Sequence, residues 1–204
     1  MRQLFLSFFL LITFMFPCIT AHAEEYTVDD LKVLADGENA KAQYDLATLY
    51  MKGKDIEKDT TKGINLFMKS AAKGYPKAQY VLGKLFRDGL YVKQSEQQAM
   101  DWFTRGAHRG HGNSQYALAV MHSRFRDSLE STQEAYAWFE VVHRRKHPRG
   151  AAGRDEVAKR LDKYQIITAK RMAKAYYEEY VEPFQKPKVT PKEESDEPEE
   201  PKEE

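Results

Sequence analysis

A block of sequence returns every 36 residues, and this period constrains the fold more than any other feature. Ala42-Gln43-Tyr44 recurs as Ala78-Gln79-Tyr80 and as Ser114-Gln115-Tyr116. The register extends to Leu46, Leu82 and Leu118, and to Leu49, Leu85 and Met121. It also holds the small residues Ala47, Gly83 and Ala119, and the bulky pairs Leu66-Phe67, Trp102-Phe103 and Trp138-Phe139. A fixed period of this length marks a stacked repeat array. Within each copy the apolar residues follow helical spacing, not strand alternation. Each unit therefore reads as a pair of helices that cannot bury its own apolar face and must share a core with its neighbours.

The spacing predicts helices near 40–53, 60–73, 77–88, 95–109, 113–126 and 131–146. A short leading helix is expected at 28–36, and a degenerate closing pair at 150–162 and 164–182. Asp59, Ser95 and Ser131 are N-cap types in one register. Ser95 with Gln98, and Ser131 with Glu134, would complete capping boxes. Gly53 and Gly89 should end their helices in the left-handed conformation. Ile56 and Val92 should tuck between the helices. In the closing pair Leu161, Tyr164, Ile167, Ala169, Met172, Ala173 and Tyr176 should cover the last open face. The large side chains at Trp102 and Phe103 are expected to be core, so that truncation of Trp102 would be costly.

These residues resemble the Sel-one-like repeat family, a relative of the tetratricopeptide arrays. The resemblance rests on Ala78-Gln79-Tyr80, Leu82-Gly83, Phe86, Gly89, Val92, Ser95, Ala99, Trp102-Phe103, Ala107 and Gly110. It implies an all-α, right-handed solenoid of stacked helix–turn–helix repeats with a C-terminal capping pair. The third copy departs from the pattern, with Phe125 for the loop glycine, Ser128 for the loop valine and His143 for the small alanine. Cysteine pairs mark an enzymatic or antibiotic-binding branch of the family. They are absent here, so that activity is not carried over.

The expected organisation is a signal peptide over 1–23, a lead-in over 24–39, and repeats at about 40–74, 75–110 and 111–147. Capping helices over 148–184 and a disordered, acidic, proline-rich tail over 185–204 would follow. Arg2, the apolar stretch from Leu4 to Phe16 and Ala21-His22-Ala23 have the form of a secretory leader cut after Ala23. Cleavage would remove Cys18, the one cysteine, and leave no apolar run able to cross a bilayer. A periplasmic or secreted location is therefore expected.

Charge is unevenly spread. From Arg105 to Lys174 there are 15 Lys and Arg against 7 Asp and Glu, and from Lys186 to Glu204 there are 4 Lys against 8 acids. The tail reads first as a solubilising segment, with docking on the basic half as the alternative. No nucleophile elbow, phosphate-cradling glycine loop or His-Glu-x-x-His pattern is present, so no enzyme, cofactor or metal is expected. The histidines His108, His111, His143 and His147 are the one constellation with metal or pH-sensing potential. Surface histidines with no special task are the plainer reading.

Binding candidates are the positions that differ between copies on the first helices: Asp45, Thr48 and Lys52, Val81, Lys84 and Asp88, and Ala117, Val120 and Arg124. In related arrays these helices line the inner curve. The basic run Arg144, Arg145, Lys146 and Arg149 would suit an anionic partner, whether protein or polysaccharide, or a helix end facing water. Nucleic acid is excluded by export. The expectation is a non-enzymatic scaffold for a protein partner of the cell envelope. Two alternatives are an envelope hydrolase or antibiotic-binding protein, and a secreted effector acting on a host.

Overall fold

The computed structural model describes residues 26–185; the expected signal peptide, and the expected tail from residue 186 on, lie outside the described residues. Among the described residues ten helices follow one another: α1 (Val28–Asp36), α2 (Ala40–Lys52), α3 (Thr60–Ala72), α4 (Pro76–Asp88), α5 (Glu96–His108), α6 (Gly112–His122), α7 (Leu129–Arg144), α8 (Gly150–Ala158), α9 (Lys163–Tyr180) and α10 (Glu182–Gln185). Each of α1 to α7 packs on the next, and α7 also packs on α8 and α9. This is the expected all-α solenoid, with α2–α3, α4–α5 and α6–α7 as its hairpins.

The period is written into the backbone. Gly53 and Gly89 close α2 and α4 with φ of 68° and 66°, and two residues later Asp55 and Tyr91 both take φ 64°. Between hairpins, Glu38, Gly74, Gly110 and Lys146 all have positive φ and stand 36 residues apart. Side chains repeat as faithfully. The amide groups of Gln43, Gln79 and Gln115 donate to the carbonyls of Ala35, Ala71 and Ala107, each at 3.1 Å. The repeated glutamine therefore ties each first helix to the end of the helix before it. A buried amide needs such a partner, because an unbonded one costs about 1–3 kcal/mol.

Helix α1 fits the same register. Leu31 and Ala35 stand 36 residues before Phe67 and Ala71 and are buried as those are. The leading helix thus occupies the register of a hairpin's second half, and it seats Gln43. At the other end α9 lies along α7 and closes the stack with Ala169 and Ala173, both fully buried, and with the half-buried Ile166, Met172, Tyr176 and Tyr177. Tyr164 and Ile167, expected on that face, are exposed at 69% and 45%. The closing stripe is set by where α9 crosses α7, which the sequence pattern of α9 alone does not encode.

Other local expectations need correction. Helix α7 begins earlier than predicted: Ser128, not Ser131, is its N-cap, and its side chain accepts from the Ser131 N–H. Ser95 does cap α5, but the full capping boxes lie elsewhere, at Thr27–Asp30 and Asp162–Gln165. Helix α6 stops at His122. With Phe125 in place of the glycine, the chain leaves the helix through short turns at Arg124 and Phe125, whose N–H groups reach back to Met121 and His122.

The two bulky positions of the second helices are not equivalent. Phe67, Phe103 and Phe139 are all buried, Phe103 completely. Leu66 and Trp102 are half-buried, and the Arg105 guanidinium lies over the Trp102 ring at 4.9 Å. Only Trp138, beneath α9, is buried at that register. Trp102 is therefore a partly wetted contact, and the expectation of a full core residue fails there.

Candidate partner-binding surface

The tyrosine of each Ala/Ser-Gln-Tyr triplet projects onto an aromatic residue in the turn that leads to the next hairpin. Tyr44 meets Tyr75 with ring centroids 5.2 Å apart, Tyr80 meets His111 at 5.2 Å, and Tyr116 meets His147 at 4.5 Å. Tyr75, His111 and His147 are themselves 36 residues apart, so the stack forms a ladder along the first-helix side. His111 also caps α6, its side chain accepting from the Ser114 N–H.

Near the carboxyl end this ladder forms the floor of a groove of about 360 Å³, lined by Tyr80, Arg87, Asn113, Tyr116, Val120 and Arg149, with His147 and Ala117 beside them. Arg149 reaches over the Tyr116 ring at 4.8 Å, and Lys84 lies 5.6 Å from the Tyr80 ring. Arg87 holds Asp88 by two hydrogen bonds of 2.7 and 2.9 Å. Arg124 pairs with Glu96 at 3.3 Å. The groove thus offers aromatic faces, an amide at Asn113 and a cationic rim. Such a surface can take an extended segment carrying carboxylates, with its apolar groups on the rings.

The predicted residues divide. Lys84, Asp88, Arg124 and Arg149 gather at or beside the groove. Asp45 and Thr48 line a separate depression near α1. There Asp45 pairs with Lys41 at 2.8 Å, and the Thr48 hydroxyl donates to the Tyr44 carbonyl. Lys52 is exposed at the end of α2, away from both. Val81 packs against the α3–α4 core, and Ala117 is buried. Neither points away from the apolar stripe as expected, because the ladder draws the next repeat over them.

The basic run separates too. Arg144 bonds Glu140 at 3.1 Å and lies 5.9 Å from the Tyr177 ring. Lys146 is exposed at a positive φ. Arg145 is an internal strut: its Nη1 donates to the Gly110 carbonyl and to Gln115 Oε1, each at 2.7 Å. Two hairpins earlier Lys73 has the same role, donating to the Glu38 carbonyl at 2.9 Å. In the sequence Arg145 reads as a free cation because the run looks uniform. Its place 36 residues after Arg109 and 72 after Lys73 is the signal that distinguishes it. Arg87 and Asn113 escape sequence reasoning because neither repeats.

A second crevice, of about 480 Å³, opens on the opposite side and includes His108, His122, Glu130, Glu134, Tyr176 and Tyr180. Tyr176 donates to Glu134 at 2.7 Å, and His108 lies flat on Tyr180 at 4.0 Å. Two hairpin lengths earlier the equivalent crevice is lined by Lys32, Lys62 and Lys69. Asp36 lies among them, and Lys32 and Lys62 are paired with Asp29 and Asp59.

The four histidines named above do not converge. His143 and His147 do not share a helix, since α7 ends at Arg144 and His147 stacks on Tyr116. Among the described residues no group of three or more His, Cys, Asp or Glu is placed to hold a metal. Burial, helped by the Arg145 and Lys77 cations, pushes His111 down to about 4. Burial also lowers His108, His122 and His147, opposed at the first two by Glu134 and assisted at the third by Arg149. A histidine held neutral by the fold contributes stability above its unfolded value near 6.5, and that contribution is lost as pH falls toward the folded value. Thermal stability is therefore expected to decline between pH 6.5 and 4. His111→Asn, which keeps a capping oxygen, should make that decline shallower in melting curves taken across the range.

A family model described as Sel1 repeat matches residues 40–75, 76–111 and 112–140. Among solved structures, the chain is similar to c5321, a protective antigen of uropathogenic Escherichia coli with an SLR fold. The TM-score is 0.56 and the identity 25%, over 76% of this chain and 41% of that one. It is also similar to a Sel1 repeat protein from Oxalobacter formigenes, with TM-score 0.57 and 24% identity over 63% of this chain and 97% of the other. The chain thus spans about two fifths of the E. coli antigen. No curated protein matches it by sequence.

Proposed function

The chain belongs to the Sel1 repeat family, whose members generally mediate protein–protein interactions, and on that premise we propose that it is a non-enzymatic adaptor of the cell envelope. Its docking site is the groove between α4 and α6, and its partner is a protein that presents an extended, carboxylate-bearing segment. The observation that carries this reading is the convergence of Arg87, Asn113 and Arg149 on the exposed edges of Tyr80 and Tyr116. Rigid helices fix these groups, so little side-chain freedom is lost on binding. The leader-like residues before Ala23 support export, and the basic rim supports an acidic partner.

The test is photo-crosslinking in living cells. A crosslinking amino acid at Val120 should give one discrete protein adduct, and the same group at Lys69, on the opposite side, should not. Arg87→Glu with Arg149→Glu should reduce the Val120 adduct at least tenfold at unchanged helix content. Equal adducts from both faces, or an adduct indifferent to the double substitution, would remove the groove from the function. Fractionation that finds the chain with cytoplasmic markers would remove the envelope.

A further inference from the structure

The groove and the end of the described chain lie close together. Helix α9 brings the polypeptide back to the turn before α6, where Val181 is buried and the Tyr180 carbonyl accepts from Gln115 Nε2 at 3.5 Å. The Phe184 ring then packs over Gly110, so closely that a Cβ there would stand 2.8 Å from it. Gly110 is three residues before Asn113, hence at most about 11 Å from the groove along the backbone. Residues 186–204 follow directly. At about 3.3 Å per extended residue they can reach roughly 60 Å, several times what is needed.

We propose that residues 186–204 of the same chain occupy this groove as an intramolecular competitor. The proposal rests on the groove being the partner site, and the chemistry matches on two counts. The segment has 8 acids against 4 Lys. The groove is lined by Arg87 and Arg149, with Lys84 beside the Tyr80 ring, and since Arg87 pairs with Asp88 and the neighbouring Arg124 with Glu96, Lys84 and Arg149 carry its net positive charge. The segment also carries Pro187, Pro191, Pro198 and Pro201. Proline-rich chain favours an extended, left-handed form that settles on aromatic-lined grooves at little cost in entropy. Tyr80 and Tyr116 provide such a lining. A short tether gives an effective concentration in the millimolar range. A contact with an intrinsic Kd of about 0.1 mM would then be filled about nine-tenths of the time. An external segment would bind about tenfold more weakly than to an open groove.

The experiment uses the full chain with Cys18→Ser and a nitroxide on Glu203→Cys. Paramagnetic broadening should concentrate on the amides of Asn113, Tyr116 and His147 at 50 mM salt. It should fade at 500 mM salt, in Arg87→Glu with Arg149→Glu, and when the seven tail acids that remain beside the label become Gln or Asn. That last variant leaves the folded part untouched, so the test survives if the arginine pair proves unfoldable. Deletion of 186–204 should raise the Val120 adduct several-fold. Broadening spread evenly over both faces, or indifferent to salt and to the tail acids, overturns the proposal. Groove broadening without any Val120 adduct, in the chain with or without its tail, would sink the partner reading while keeping the tail contact. An adduct without groove broadening would do the reverse.

Discussion

Phe103→Ala is expected to cost about 3–5 kcal/mol, enough to unfold much of the array at physiological temperature. The ring is completely buried. It stands where α4 and α5 come closest, with Gly83 so near that a Cβ there would meet the ring edge at 2.5 Å. Tyr80 covers it at 5.9 Å between centroids. Removing the ring leaves a cavity that the surrounding helices cannot fill, since Leu82 and Ala107 are already fully packed. Trp102→Ala, one residue away, should cost clearly less, because that ring is partly wetted and loses an exposed contact with Arg105. Urea unfolding of the two variants checks the order. Equal losses, or a larger loss at Trp102, would mean that the register of the second helices is wrong.

Arg145→Glu should lower stability by about 2–4 kcal/mol, because the half-buried guanidinium bonds two neutral oxygens that would lose their donor. Two hydrogen bonds from a charged donor, each worth about 1.5–3 kcal/mol, disappear. A carboxylate would then face two oxygens, the Gly110 carbonyl and Gln115 Oε1. The Gln115 oxygen would be left as Gln43 Oε1 and Gln79 Oε1 already are, buried without a partner among the described residues. Arg144→Glu, beside it, should cost under about 1 kcal/mol, since the Arg144 side chain is itself exposed and Arg154 also holds the Glu140 carboxylate at 2.9 Å. The contrast separates neighbours that look identical in the sequence. Circular dichroism melts of the two single variants would show it, and a large loss at Arg144 would contradict the strut.

The features of the fold legible in the sequence are those that repetition itself dictates. Gly53 and Gly89, the small Gly83 and the core Phe67, Phe103 and Phe139 follow because one geometry is imposed three times. What escaped depends on a partner in another unit. Trp102 and Trp138 share a register, yet only the second lies under α9. Ser131 is a good capping residue, but the altered loop moves the helix start to Ser128. The candidate surface is half legible for the same reason. Lys84 and Arg149 stand out as variable or basic positions, whereas Arg87 and Asn113 matter only through the tyrosine ladder. That ladder is visible as Tyr75, His111 and His147 at the common interval, but spacing does not say which face a ring joins.

The glutamine tie also bears on how arrays of this kind change length. Because it crosses from one hairpin to the next, and because α1 meets Gln43 as α3 meets Gln79 and α5 meets Gln115, these seams are cut from one template. Excising 36 consecutive residues within the regular copies would rejoin matching seams, whereas a loss of 30 or 40 would misalign the seam at the cut. Genetic tinkering can therefore set the span of the molecule in whole rungs without redesigning its joints.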